Sequence, residues 1–378
     1  MGRFLLVSGD FVTTGGMDRA NYALARYLAD RGDEVHLAAH RAAEDLAARP
    51  NVRVHRVAKP LNSYLLAEPL LDRAGRRWAR RIAPGGGRVV VNGGNCRWKD
   101  VNWVHYVHAA WAPSSVGGLA RRLKTALAHR RELAAERAAL RGARLVVANS
   151  DRTRSLLIDR LGVPPAQVHT IYYGSDPERF RPPTPDERAA ARGRLGWADG
   201  RPTLAFVGAL GDLRKGFDTL FAAWRGLARG GSWDARLAVV GSGASLPVWK
   251  ARAAEAGLEG DSIAFLGFRG DVPEILRASD GLVSPTRYEA YGLNVHEALC
   301  CGLPVVVSAS AGVAERYPPE LADWLLPDPE DASDLVARLR RWREGLGEPR
   351  PALQILSDRL RAYTWDHMAA DIAALIEA

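Results

Sequence analysis

Short runs of β-branched and aliphatic residues recur along this chain, and between them apolar positions return every three or four residues. The runs predict strands and the periodic stretches predict helices. Their near-continuous alternation predicts an α/β protein with parallel sheets. In the first half, strands are expected at Phe4–Ser8, Val35–Ala39, Val52–Val57, Val89–Val91, Trp103–Val107 and Leu145–Ala148. Asp18–Arg31 sets Tyr22, Ala25 and Leu28 at helical spacing and stops at Gly32, and Gly118–Leu140 is a long, charged helical pattern. A second series opens near Thr203. Its strands are expected at Leu204–Val207, Leu237–Val240, Ile263–Leu266, Gly281–Val283 and Val305–Val307, and its helices at Phe217–Leu227, Leu246–Ala256, Pro273–Ala278 and Asn294–Cys301. Between the two series, Pro177–Asp199 concentrates proline and charge and reads as a linker with a short helix, so a domain boundary is expected there. Trp365–Ile376 closes the chain with a helical pattern that puts Met368, Ile372 and Leu375 on one side.

Composition narrows this picture. At 378 residues, two cores are expected rather than one. Apolar residues at 47% and charged residues at 25% are those of a globular protein, and no apolar run approaches the ~20 residues that span a bilayer. The opening run, Phe4–Val7, is too short for a signal peptide and passes into Asp10, so a first strand is expected there. The three cysteines, Cys96, Cys300 and Cys301, have no metal-ligand spacing, which points to a reduced, cytoplasmic protein. The formal charge of +9 is uneven: residues 1–185 hold 30 of the basic and 16 of the acidic residues. Different partners for the two halves would account for this. So would plain arginine enrichment, since only five of the basic residues are lysine.

Candidate chemistry concentrates in the second series. Glu289 and Glu297 lie eight positions apart, and Gly292 between them is expected to open a helix that ends near Gly302. Free backbone N–H groups at a helix start take an anion, and flanking carboxylates accept from hydroxyls, so the segment suits a ligand carrying phosphate and sugar. An ordinary loop-helix-strand unit is the plain alternative. A glycosidase carboxylate pair is a further one, ranked lower because this spacing does not make the carboxyls face each other. Phe206–Leu220 runs from a strand through a loop to Lys215-Gly216 at a helix entrance, where a lysine can stabilise a departing pyrophosphate. Near the start, Gly15 and Gly16 stand between strand and helix, and this is not the GxGxxG dinucleotide fingerprint. His105 and His108 lie three apart on an expected strand, hence on opposite faces, which argues against metal co-ligands.

Taken in order from residue 5 to about 310, these motifs resemble those of the family-4 retaining glycosyltransferases, which have the GT-B fold. The resemblance implies two Rossmann-like domains facing across a cleft. Residues 1–180 would bind the acceptor, completed by the C-terminal helix at 365–378 crossing back, and residues 181–364 would bind a nucleotide diphosphate sugar. It implies that Glu289 accepts from donor-sugar hydroxyls, that Glu297 binds the ribose, and that the N–H groups of Tyr291, Gly292 and Leu293 meet phosphate and sugar. Lys215, with Arg214, would stabilise the leaving pyrophosphate. Gly15 and Gly16 would lie near that pyrophosphate, Phe268 and Arg269 would line the base, and His108 would stand over the donor sugar. The implied catalytic set is His108, Lys215 and Glu289, with no metal and no cofactor beyond the sugar nucleotide. A sugar phosphorylase, a nucleotide-sugar epimerase or a catalytically weak binding subunit are the alternatives. Ala209 departs from the pattern, because many relatives have arginine or lysine there. Arg214 could stand in for that charge, although adjacent helix residues do not face the same way.

Two basic stretches remain. Arg73, Arg76, Arg77, Arg80 and Arg81 have helical spacing beside Leu70, Leu71 and Trp78, and Arg121, Arg122, Lys124, Arg130 and Arg131 lie along the next long helix. One reading docks this face on anionic lipid at the inner side of a membrane, near a lipid-linked acceptor. The preferred reading is a solvated helix face. No nucleic-acid-binding motif is present.

Overall fold

The computed structural model describes residues 2–112, 119–211 and 213–378; Gly118 and Asp212 fall outside them, as do the side chains of Arg121 and Arg122. The chain divides into two compact units: Leu123–Gly174 and Thr364–Ala378 join the N-terminal residues in the first, and Ser175–Tyr363 make the body of the second.

The sheet of the first unit has seven parallel strands, β1 (Arg3–Val7), β2 (Glu34–Ala39), β3 (Val52–Arg56), β4 (Arg88–Asn92), β5 (Val101–Val104), β6 (Leu145–Ala148) and β7 (Val168–Thr170). Their spatial order is β3-β2-β1-β4-β5-β6-β7. Central strands such as β1, β4 and β6 are nearly continuous runs of Leu and Val, as strands covered on both faces require. Helices α1 (Gly16–Asp30), α2 (Tyr64–Ile82), α3 (Leu119–Leu140, from Leu123 onward) and α4 (Asp151–Leu161) belong to this unit. Leu5, Val7, Leu71, Ala79, Ile82, Val89 and Val91 form the core between α2 and the sheet.

The second unit repeats the plan with β8 (Thr203–Val207), β9 (Arg236–Val240), β10 (Ile263–Gly267), β11 (Gly281–Ser284), β12 (Val305–Ser308) and β13 (Leu325–Leu326), ordered β10-β9-β8-β11-β12-β13. Its helices are α5 (Pro185–Arg194), α6 (Phe217–Arg229), α7 (Leu246–Glu255), α8 (Val272–Ala278), α9 (Leu293–Cys300), α10 (Ala332–Glu344) and α11 (Pro351–Ala362). Phe206, Phe217, Phe221, Trp224 and Trp249 pack together beneath α6. In both sheets the order reverses beside the first strand of the unit. A crevice therefore opens at the carboxyl ends of β1 and β4, and another at those of β8 and β11.

The last helix, α12 (Trp365–Glu377), packs on α1 and is tied to it by ion pairs from Arg26 to Asp366 and from Arg31 to Glu377. Thr364 caps it through a reciprocal bond with His367. The proline-rich stretch holds α5, begun by a capping box from Thr184 to Glu187. The expected strand Trp103–Val107 is corrected. Pairing stops at Val104, opposite Ala148, and the His105 carbonyl instead accepts from the Asn149 side chain at 3.2 Å. His105 and His108 are therefore not strand residues, and His108 opens a short 3-10 turn, His108–Ala110. Among the described residues no helix is long and apolar enough to cross a membrane.

Candidate active site

The crevice beside β8 and β11 is built by the two loops that leave those strands. The loop after β8 ends in a 3-10 turn, Leu213–Lys215, and then Gly216 starts α6. Gly216 has φ +68, and a Cβ there would lie 1.8 Å from the Pro285 carbonyl oxygen, so only glycine lets the two loops touch. Arg287 clamps the same turn. Its guanidinium donates to the Leu213 carbonyl at 2.5 Å, to both Asp218 oxygens at 2.8 Å and to Glu330 at 2.8 Å. Its backbone N–H and the Thr286 hydroxyl both donate to the Arg214 carbonyl, at 2.8 and 3.0 Å.

Held in this way, Arg214 and Lys215 converge on one carboxylate. Lys215 Nζ pairs with Glu289 Oε2, and Arg214 Nη1 approaches the same oxygen at 3.4 Å. This corrects the expectation that neighbouring residues must diverge, because the pair sits in a 3-10 turn before α6 and not on the helix. Burial would push the Glu289 carboxyl up, but Lys215 and Arg214 outweigh it and hold the group below the ordinary carboxylate value. No hydrogen bond among the described residues reaches Oε1 of Glu289, which remains available to a hydroxyl.

Glu289 leads directly into α9. Gly292 caps that helix at φ +110, and no side chain bonds to its first turn. A Cβ at Gly292 would meet Val313 at 3.0 Å and the Glu289 side chain at 3.4 Å. The Gly312 and Val313 N–H groups donate to the carbonyls of Glu289 and Tyr291, and Asn294 Nδ2 donates to the Val207 carbonyl at 2.9 Å. The helix start is thereby pinned to the end of β8, and among the described residues no side chain caps it, the arrangement that attracts phosphate. Tyr291 and His296 are buried beneath it and share a 2.7 Å hydrogen bond. Glu297, half-buried, stands about 6 Å further along the axis, and its charge helps to raise the thiols of Cys300 and Cys301. Phe268 is 78% exposed after β10, and Arg269 is engaged by Asp271 at 2.7 Å.

The first unit holds the remaining candidates. Gly15 precedes α1 at φ +82 and Gly16 begins it, so the glycine pair forms the helix start itself. His108 is held by acids of α3. The carboxylate of Glu136, fully buried, accepts the His108 and Ala109 N–H groups at 2.8 and 3.2 Å, and Glu132 lies 3.2 Å from His108 Nδ1. Burial alone would lower the His108 pKa, but Glu132, Glu136 and Glu68 together raise it. His105 differs. It is buried between Asn92 and Tyr173, which contact its two ring nitrogens at 2.9 and 2.5 Å, and burial pushes it down to about 3. His129 joins the acidic group: His108, His129 and Glu132 each bring one donor atom within 4.8 Å, a set with metal-ligand character that the sequence reading did not anticipate. Arg287, Glu132 and Glu136 were also absent from it. The available signal for the last two was their spacing of four on an arginine-rich helix.

Residues 14–179 match the family model for glycosyltransferase family 4, and residues 201–344 match that for glycosyl transferases group 1. The chain is 31% identical over 324 residues to the D-inositol 3-phosphate glycosyltransferase of Actinosynnema mirum, covering 79% of this chain and 77% of that one. It is 36% identical over 208 residues to the protein of the same name from Saccharomonospora viridis, covering 52% and 47%. The chain spans about half the length of the first curated relatives it matches. Among solved structures, sucrose-phosphate synthase from Thermosynechococcus elongatus superimposes with a TM-score of 0.78 at 23% identity, covering 100% of this chain and 98% of that one. That likeness gives the fold, GT-B. Matched by family models in both halves and by a relative along most of its length, the chain belongs to the family-4, group 1 glycosyltransferases.

Proposed function

We propose that the protein is a retaining glycosyltransferase that moves a sugar from a nucleotide diphosphate sugar to an acceptor hydroxyl. The observation that carries this reading is the convergence of Arg214, Lys215 and Glu289 beside the uncapped start of α9. The diphosphate lies against Lys215, Arg214 and the N–H groups of Gly292 and Leu293. The sugar hydroxyls donate to Glu289, and the ribose hydroxyls donate to Glu297. Arg214 supplies the second positive charge that Ala209 does not.

In the transfer step the bond from the sugar's anomeric carbon to the phosphate oxygen breaks, and its electron pair goes to the diphosphate. The acceptor oxygen bonds to the same face of that carbon, and its proton passes to the leaving phosphate. Fixed donors that grip charge as it develops favour such a transition state without reorganisation. His108, the third member of the catalytic set that the sequence implies, has its Nδ1 held by Glu132 within the first unit.

Incubation with radiolabelled UDP- and GDP-sugars and an acceptor panel tests the reading. Label transferred to an acceptor, with the anomeric configuration kept, is the expected result. Transfer to inorganic phosphate, or isomerisation of the donor without acceptor, would overturn it. Because Lys215 and Arg214 neutralise the departing diphosphate, EDTA should leave transfer intact. Loss of transfer that Mg2+ or Mn2+ restores would contradict that role.

A further inference from the structure

The crevice of the first unit carries a charge pattern of its own. The loop leaving β4 holds Gly94 and Arg97, and beside it α2 and α3 wall an open cavity of about 560 Å3. A Cβ on Gly94 would come within 3.1 Å of the Glu136 backbone nitrogen, so this loop is seated directly on α3. The α3 wall is made of Ala134, Ala135 and Ala138, too small to fill the space. Four guanidiniums line it, those of Arg73, Arg76, Arg97 and Arg131, against the carboxylates of Glu68 and Asp72.

These charges do not cancel pairwise. Asp72 is fully engaged: one oxygen accepts from Arg76 at 2.9 Å and from Arg97 at 3.3 Å, and the other accepts the Arg97 N–H at 2.9 Å. Arg73 and Arg131 make no hydrogen bond or ion pair with the described residues. Glu68 connects the cavity to His108 within the first unit. Burial raises its carboxyl pKa, the charge of Glu132 adds to that, and His108 and Arg131 oppose it, so all these groups lie within electrostatic reach of one another.

We propose that this cavity seats the acceptor, and that the acceptor is a small hydroxylated molecule carrying a phosphate. The phosphate lies between Arg73 and Arg131, and the hydroxyls face Glu68 and His108. Two guanidinium forks without partners suit a group of charge about −1.5 to −2 with several acceptor oxygens. The volume lies within the range of small-ligand sites, roughly 300–1,000 Å3. The inference rests on the glycosyl-transfer reading above and names its acceptor class.

Calorimetric titration of the intact chain with inorganic phosphate, glucose 6-phosphate and glucose tests it. Both phosphates should bind and glucose should not. In the Arg73→Ala/Arg131→Ala double variant, binding of the phosphates should weaken by about tenfold or more, as loss of charge-assisted contacts implies. Both side chains are exposed, so their removal opens no core. An Arg77→Ala/Arg80→Ala control, equal in charge lost but outside this cavity, should leave phosphate binding unchanged. Phosphate binding that survives the double variant, or that falls equally in the control, overturns the proposal, as does a chain that binds neither phosphate nor phosphatidic acid vesicles. If only phosphatidic acid vesicles bind, and only with Arg73 and Arg131 present, the phosphate belongs to a lipid-linked acceptor. If UDP and GDP fail to bind the wild type while phosphate still depends on Arg73 and Arg131, the transfer reading fails and the anion site stands.

Discussion

Lys215 and Glu289 lie 74 positions apart in sequence, yet they form one partly buried pair. Each could be singled out beforehand, Lys215 because lysine is scarce in this chain and Glu289 because of its spacing from Gly292 and Glu297. Arg287 could not, because its partners Asp218 and Glu330 are 69 and 43 positions away and nothing local marks them. Lys215→Ala should lower kcat by roughly 10²–10³, the loss expected when one preorganised charge is removed from a leaving group; steady-state kinetics on wild type and variant would show it. Because the folded Glu289 carboxyl titrates below its unfolded value of 4.5, the stability it brings is complete above that pH and is lost only as pH falls through the lowered folded value. The buried histidines behave otherwise. His105 and His296 titrate near 3 in the fold against 6.5 unfolded. As pH drops below 6.5 the unfolded chain takes up protons that the folded chain refuses, so each lowers stability progressively until about pH 3. Acid lability should therefore begin near pH 6, above the carboxylate range, and His105→Gln should flatten the fall in urea midpoint between about pH 6.5 and 5. An unchanged slope would mean that His105 is not held neutral.

Elements were legible where hydrophobic period and length agreed, as in β1, β8, α6 and α9. The strand expected to reach Val107 ended at Val104 because its neighbour β6 ends at Ala148 and a side chain claims the next carbonyl. The convergence of Arg214 with Lys215 was hidden for a related reason: sequence gives the residue order, but not the 3-10 turn that rotates both side chains to one side. That turn depends on Gly216. In Gly216→Ala the positive φ costs about 1–3 kcal/mol, and the contact with the Pro285 carbonyl adds to it. The variant should lose thermal stability and transfer together, because the Lys215 turn is displaced. A variant with a lowered Tm and normal kcat would show that the turn's geometry does not matter.

For the whole molecule, alternation of strands and helices established the α/β class, and the proline-rich stretch marked where one series gives way to the next. Neither indicates the order of strands in a sheet, which depends on right-handed crossovers and on which hydrophobic faces meet. The order decides function, because its reversal beside β8 and β11 is what brings the loops carrying Lys215 and Glu289 to one edge. The acids around His108 were likewise invisible until α3 was placed against the turn that follows β5. The most direct test of the account is equilibrium titration of the intact chain with UDP and GDP, in wild type, Lys215→Ala and Glu289→Gln. One nucleoside diphosphate should bind the wild type, weaken about tenfold or more on loss of the Lys215 charge, and bind Glu289→Gln nearly as well as wild type, since that carboxylate serves the sugar. Equal affinity for wild type and Lys215→Ala would contradict the account.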